Sequence, residues 1–243
     1  MVKHGVDHLT LWEHFLAGVP KDQVRCYVHA KSARPEPVFS DAWVEPDPLP
    51  TAWGCLSLVL ASRRLFEQAW ADGCTAMVLL SGDMLPLKSF QEIRQICCET
   101  QLSLQPRAGL NERQQAANQR RFREIAPWFG CDHSVLRKQN MFFAVTAADY
   151  ALLRQFDPSS FPLDKLADEY FWANCFVRLG HEVRDNRFLF CNSDLTRTQA
   201  ASFHLDETLL AECWGGGYCF IRKVVSVSPW ADERLRSVYA GGC

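Results

Sequence analysis

Residues 54–100 contain a complete helix–strand–helix unit, and it restricts the fold more than any other stretch of the chain. Residues 54–72 (GCLSLVLASRRLFEQAWAD) carry apolar side chains at helical spacing and stop at Asp72-Gly73. The run TAMVLLSG (75–82) follows, too short for a helix and apolar throughout, as a strand covered on both faces is. It breaks at Ser81-Gly82-Asp83 and enters a turn fixed by Pro86, and a second helix runs from Ser89 to Thr100. A buried strand between two amphipathic helices belongs to an α/β protein.

The remaining segments continue the alternation. Helices are expected over 8–18, closed by Gly18, then at AADYALLRQF (147–156), 167–180, DETLLAEC (206–213) and the C-terminus. Strands are expected at RCYVHA (25–30), NMFFAVT (140–146), RFLFCN (187–192) and YCFIRKVV (218–225). Residues 35–50 are Pro-rich and read as loop; residues 111–124, polar all round, read as an exposed helix or a mobile loop. Strands between helices predict one α/β domain with a largely parallel sheet. Ligands of such sheets gather at the carboxyl ends of the strands, which draws attention to His29 and to Ser81-Gly82-Asp83. A strand-end histidine and a strand-to-helix turn are also ordinary structural features.

Composition excludes several functions. The formal net charge of −2 leaves no basic footprint for nucleic acid. The 11 cysteines are scattered without a CxxC, which excludes a zinc ribbon and fits reduced thiols in a reducing compartment. The N-terminus MVKHGVDHLTLWEHF lacks the continuous apolar core of a signal peptide, and no apolar run reaches the about 20 residues a membrane span needs. These features predict a soluble, cytoplasmic-type protein.

No P-loop, GxGxxG, HExxH or GxSxG occurs, and no Asp-x-Asp to hold a divalent ion against a diphosphate. His4 and His8 stand at i, i+4 without an evident third ligand, so no metal is expected. Phosphate chemistry in this chain would need fixed cations, and Arg197, Arg222 and Lys223 are available. The segment KLADEYFWANC (165–175) sets Asp168 and Glu169 before three aromatics. Carboxylates in a helix's first turn gain about 0.3–1 kcal/mol from its dipole, so helix physics alone reads the pair as structural. A catalytic carboxylate there would need its pKa and orientation set by the aromatics behind it.

Six segments in order — YVHAKS, AWGCLSLVLASRRLFEQAW, LLSGDMLPLKSFQEI, LRKQNMFFAVT, ADEYFWAN and CFIRKV — resemble the core-2/I-branching glycosyltransferases over roughly residues 8 to 225. The resemblance implies a GT-A-like fold: a Rossmann-like, mostly parallel mixed sheet flanked by helices. Its nucleotide-binding half would span about 1–105 and its acceptor half about 125–230. It implies an inverting, metal-independent enzyme moving a sugar, N-acetylglucosamine or xylose, from a UDP-linked donor to a glycan or other hydroxyl, with no cofactor. By resemblance Glu169 is the general base and Asp168 an orienting or capping group. Lys223 and an upstream arginine, Arg197 or else Arg222, would stabilise the leaving diphosphate. His29 and Lys31 would lie in the nucleotide loop, Trp53 near the donor pocket, and Ser81, Gly82 and Asp83 on the cleft floor. This chain has Ala30 and Lys31 where the family commonly has an Asp, and Phe142 in place of a tryptophan. Animal and plant members are typically anchored in the Golgi. A catalytically silent nucleotide- or glycan-binding protein and an α/β scaffold are the rival expectations.

Overall fold

The helix–strand–helix unit is present, with a shorter strand than its apolar run suggests. The structure is a computed structural model that describes residues 6–30, 39, 41–105, 110–191 and 202–241. Helix α1 spans Leu9–Leu16, α2 Leu56–Ala71 and α3 Phe90–Ile96, while strand β3 covers only Ala76–Val78. The chain turns after Leu80: Met84 N–H donates to Ser81 O (3.2 Å), and Ser81 N–H points at Met84 Sδ (3.2 Å). Strand β4 (Met84–Pro86) then forms where only a turn was expected. It accommodates Pro86 because it is an edge strand.

Strands β1 (Tyr27–Val28) and β2 (Trp43–Val44) pair in parallel, so the Pro-rich 35–50 region contains a strand. Strand β3 pairs antiparallel with β5 (Ala144–Thr146), in the register Ala76 to Thr146. Strand β8 (Phe220–Arg222) lies between β4, antiparallel, and β6 (Leu189–Cys191), parallel. Strand β7 (Phe203–Leu205), absent from the sequence expectation, pairs in parallel with β9 (Val224–Val227). The fold is thus mixed α/β, built from several small sheets with both pairing senses. The single strand expected over 218–225 divides at Lys223, and its two parts join different sheets. The β3–β5 and β4–β8 pairs join early and late segments of the chain.

Helix α4 (Glu112–Phe129) settles the choice left open at 111–124 in favour of a helix. Asn111 and Gln114 form a reciprocal capping box, and Phe122, Ile125, Ala126 and Phe129 bury one face of its second half. Helix α5 (Ala147–Leu153) follows β5 directly. The helix expected over 167–180 breaks at Phe171 into α6 (Ala167–Tyr170) and α7 (Trp172–Arg178). Helices α8 (Glu207–Gly215) and α9 (Pro229–Ala240) complete the order.

The aromatics behind Asp168-Glu169 belong to the core. Phe66 of α2 meets the rings of Phe143, Tyr150 and Trp172 at centroid separations of 5.5, 5.4 and 5.8 Å. Truncating a buried aromatic such as Trp172 costs about 3–5 kcal/mol, so α7 is firmly held and α6 is anchored at its C-terminal end. No helix among the described residues is long and apolar enough to cross a membrane.

Candidate functional site

Helix α6 begins on a strained residue pinned from outside. Leu166 adopts a left-handed conformation (φ 62°) at its N-terminus. Ala167 N–H donates to Gly54 O (3.2 Å) and Leu56 N–H to Asp164 O (3.2 Å), so the loop before α2 clamps the entry to α6. Gly54 is required twice: its φ is +69°, and a Cβ there would meet Leu166 Cδ2 at 3.3 Å and Leu166 N at 3.4 Å. Trp53, one residue before this clamp, is 69% exposed, a large apolar face presented beside α6.

Asp168 and Glu169 are adjacent in sequence and unlike in setting. Asp168 is buried, with Oδ1 lacking any hydrogen-bond partner. Burial first, and the neighbouring Glu169 second, push its carboxyl up to about 7. Glu169 is half-buried, and Lys138 Nζ lies 2.8 Å from its Oε2. That oxygen is buried and pairs with the ammonium in charge, without an aligned hydrogen bond. Two neighbouring carboxylates in environments that separate their behaviour is an arrangement suited to assigning one of them a proton-transfer role.

Asn174, fully buried on α7, brings Lys138 into place. Its Oδ1 accepts Arg137 N–H (2.7 Å), and its Nδ2 donates to Arg137 O (2.8 Å) and Tyr170 O (2.6 Å). Gln139 N–H donates to Glu169 O (2.9 Å), while the Gln139 carboxamide is buried with neither Nε2 nor Oε1 partnered. Lys138, Gln139 and Asn174 were not read from sequence as site residues. Their only signal was membership of the LRKQNMFFAVT and ADEYFWAN segments, because contacts across this sequence distance leave no spacing pattern.

Ser81, Gly82 and Asp83 come together with Arg222 across the β4–β8 pair. Arg222 Nε donates to Ser81 Oγ (3.1 Å) and to Asp83 Oδ1 (3.0 Å), and Ser81 Oγ itself donates to Asp83 Oδ1. Gly82 O accepts Asp7 N–H (2.7 Å), and Val224 N–H donates to Asp83 O (3.3 Å), tying the turn to the N-terminal segment and to β9. His8 Nε2 meets Val224 O at 3.1 Å in the same place; His4 lies outside the described residues. Cys191 stands opposite Arg222 in the β6–β8 register. Burial pushes its thiol up, Arg222 and Lys223 pull it down, and Asp83 and Glu169 push it up again. One half-buried thiol therefore senses both the α6 carboxylate and the β8 cations, which brings Glu169, Arg222, Lys223 and Asp83 into one electrostatic neighbourhood.

His29 stands apart from this neighbourhood. It is buried at the end of β1 with Nε2 unpartnered, and burial holds its pKa below the ordinary imidazole value. Its charged neighbours include Glu45 and Arg64, which line a groove of about 650 Å³ between β2 and α2 with Trp43, Leu49 and Leu60. Lys31 and Arg197 lie outside the described residues. No protein-family model matches the chain, and a search of curated proteins finds no match either.

Proposed function

We propose that this chain is an inverting glycosyltransferase of GT-A-like fold that uses a nucleotide-sugar donor and Glu169 as its base. The observation that carries the proposal is the convergence around Cys191: the half-buried α6 carboxylate and two cations, Arg222 of β8 and Lys223 beside it, all act on its thiol. In the proposed reaction an acceptor hydroxyl oxygen attacks the donor's C1 and the Glu169 carboxylate takes its proton. The C1–O bond to the diphosphate breaks with inversion, and the electron pair stays on the leaving oxygen. Arg222 and Lys223 meet that charge, the electrostatic stabilisation such a step needs. Exposed Trp53 offers a face for a sugar ring, and Asp168 shapes the α6 turn without exchanging the proton. Metal independence and the identity of the donor rest on the family resemblance.

A silent binding protein of the same fold has one observation in its favour: Lys138 neutralises the carboxylate that would act as base. A panel of nucleotide sugars, assayed for hydrolysis and transfer with and without EDTA, separates the two. Transfer from at least one UDP-sugar that survives EDTA is the expected result. Turnover that stops in EDTA and returns with a divalent ion would overturn the cation mechanism. A rise in melting temperature with UDP but no transfer to any acceptor would favour the silent binder.

A further inference from the structure

Arg222 is held on three sides and left open on the fourth. Its Nε is taken by Ser81 Oγ (3.1 Å) and Asp83 Oδ1 (3.0 Å), and its guanidinium carbon lies 4.7 Å from the centroid of the Phe142 ring. Among the described residues, Nη1 and Nη2 donate to nothing. Phe142 is itself buried, and its chain neighbour Phe143 accepts Leu79 N–H (2.9 Å), so the ring is fixed to the segment that leads into Ser81. A guanidinium rotates freely about its long stem in water. Held at Nε and stacked on an aromatic face, it keeps one plane and directs its two terminal amino groups together.

We propose that Phe142, with Ser81 and Asp83, is a positioning residue that orients Arg222 to receive one phosphate group through both terminal nitrogens. It rests on the donor site proposed above and adds to it which groups set the cation's direction. A fixed fork matches the spacing of two phosphate oxygens, whereas a mobile one loses rotational freedom at each binding event. Asp83 therefore takes up Arg222 Nε and does not face the diphosphate, where its charge would repel the ligand. The aromatic ring carries no charge, so it orients the guanidinium without competing for it.

Isothermal titration with UDP and with inorganic pyrophosphate tests this on the full chain. Phe142→Leu is expected to weaken both probes about 10-fold, and Phe142→Tyr to restore both. In an Arg222→Lys background, which has no plane to orient, Phe142→Leu is expected to cost less than about 2-fold more. Ser81→Ala removes one Nε acceptor, leaves the ring in place and weakens both probes about 3-fold; it reads the same cradle should Phe142→Leu fold poorly. Loss of UDP affinity with pyrophosphate unchanged would place Phe142 on the nucleoside and overturn the proposal. Equal losses from Phe142→Leu in the wild-type and Arg222→Lys backgrounds would reduce Phe142 to a packing residue. Wild-type binding with every variant unaffected removes the cradle alone, whereas a wild type that binds neither probe removes the donor site and the cradle together.

Discussion

Two charged regions lie on this molecule, and they differ in what their charges have left to give. In the groove between β2 and α2, Arg64 pairs with Glu45 (3.7 Å) and donates to Asp47 O (2.9 Å). Arg63 donates to Phe156 O (2.7 Å) and Arg154 O (3.0 Å), and Arg154 Nε meets both oxygens of Glu67 (3.0 and 2.9 Å). Around β8 and α6, among the described residues, Arg222 Nη1 and Nη2 donate to nothing and the Lys223 ammonium has no partner, while Glu169 pairs with Lys138 (2.8 Å). In the groove each of these three arginines is engaged by a carbonyl or a carboxylate oxygen. On the function proposed above, the lone ammonium of Lys223 and the free end of Arg222 set the β8–α6 region apart from the paired groove.

The sharpest way to break this comparison is to neutralise one carboxylate in each region. Glu169→Gln is expected to lower the transfer rate by about 10²- to 10⁴-fold while the melting temperature holds. Glu67→Gln should leave the rate unchanged. Steady-state kinetics on the two variants decides it, and equal losses would erase the distinction.

Asp168 supplies the next largest effect. Its carboxyl is raised in the folded protein to about 7, so the folded state binds a proton that the unfolded chain releases near pH 4. Stability from this group is complete below about pH 4 and declines as pH rises to about 7, by about 4 kcal/mol at most. Asp168→Asn should flatten that slope and be more stable than the wild type at pH 8, as read by urea unfolding at several pH values. An unchanged slope would show that Asp168 gains compensation elsewhere. The smallest effect belongs to the groove: Arg154→Ala should cost about 1 kcal/mol or less, because the pair with Glu67 is substantially exposed.

The parts of this architecture visible in the sequence are those governed by local rules. The amphipathic face of α2, the turn after the apolar run at 75–82 and the acidic opening of α6 are each written within a few residues. The two-residue β2 and the three-residue β7 carry no alternation long enough to recognise, and they exist because a distant partner pairs with them. The same limit applies to the site. Asp168 and Glu169 stood out as a pair, but what separates them, Lys138 on one side and burial on the other, is tertiary. Arg222 was a reserve choice behind Arg197, and its grip by Ser81, Asp83 and Phe142 joins segments far apart in the chain. His29 followed a sound rule about strand ends and arrived at the paired groove region.

The clamp of Gly54 on Ala167 also bears on when the site comes into being. The two residues are more than a hundred positions apart, so the chain must close a long loop before α6 has a fixed entry. Contacts of such range form late in folding, after helices such as α2 and α4 have gathered their local bonds. Glu169 would then reach its position only after those helices have formed. In a refolding experiment, far-ultraviolet ellipticity should recover ahead of the proposed transferase activity, and the lag should lengthen in Gly54→Ala. Simultaneous recovery of both signals in that variant would show that the turn at Leu166 forms unaided.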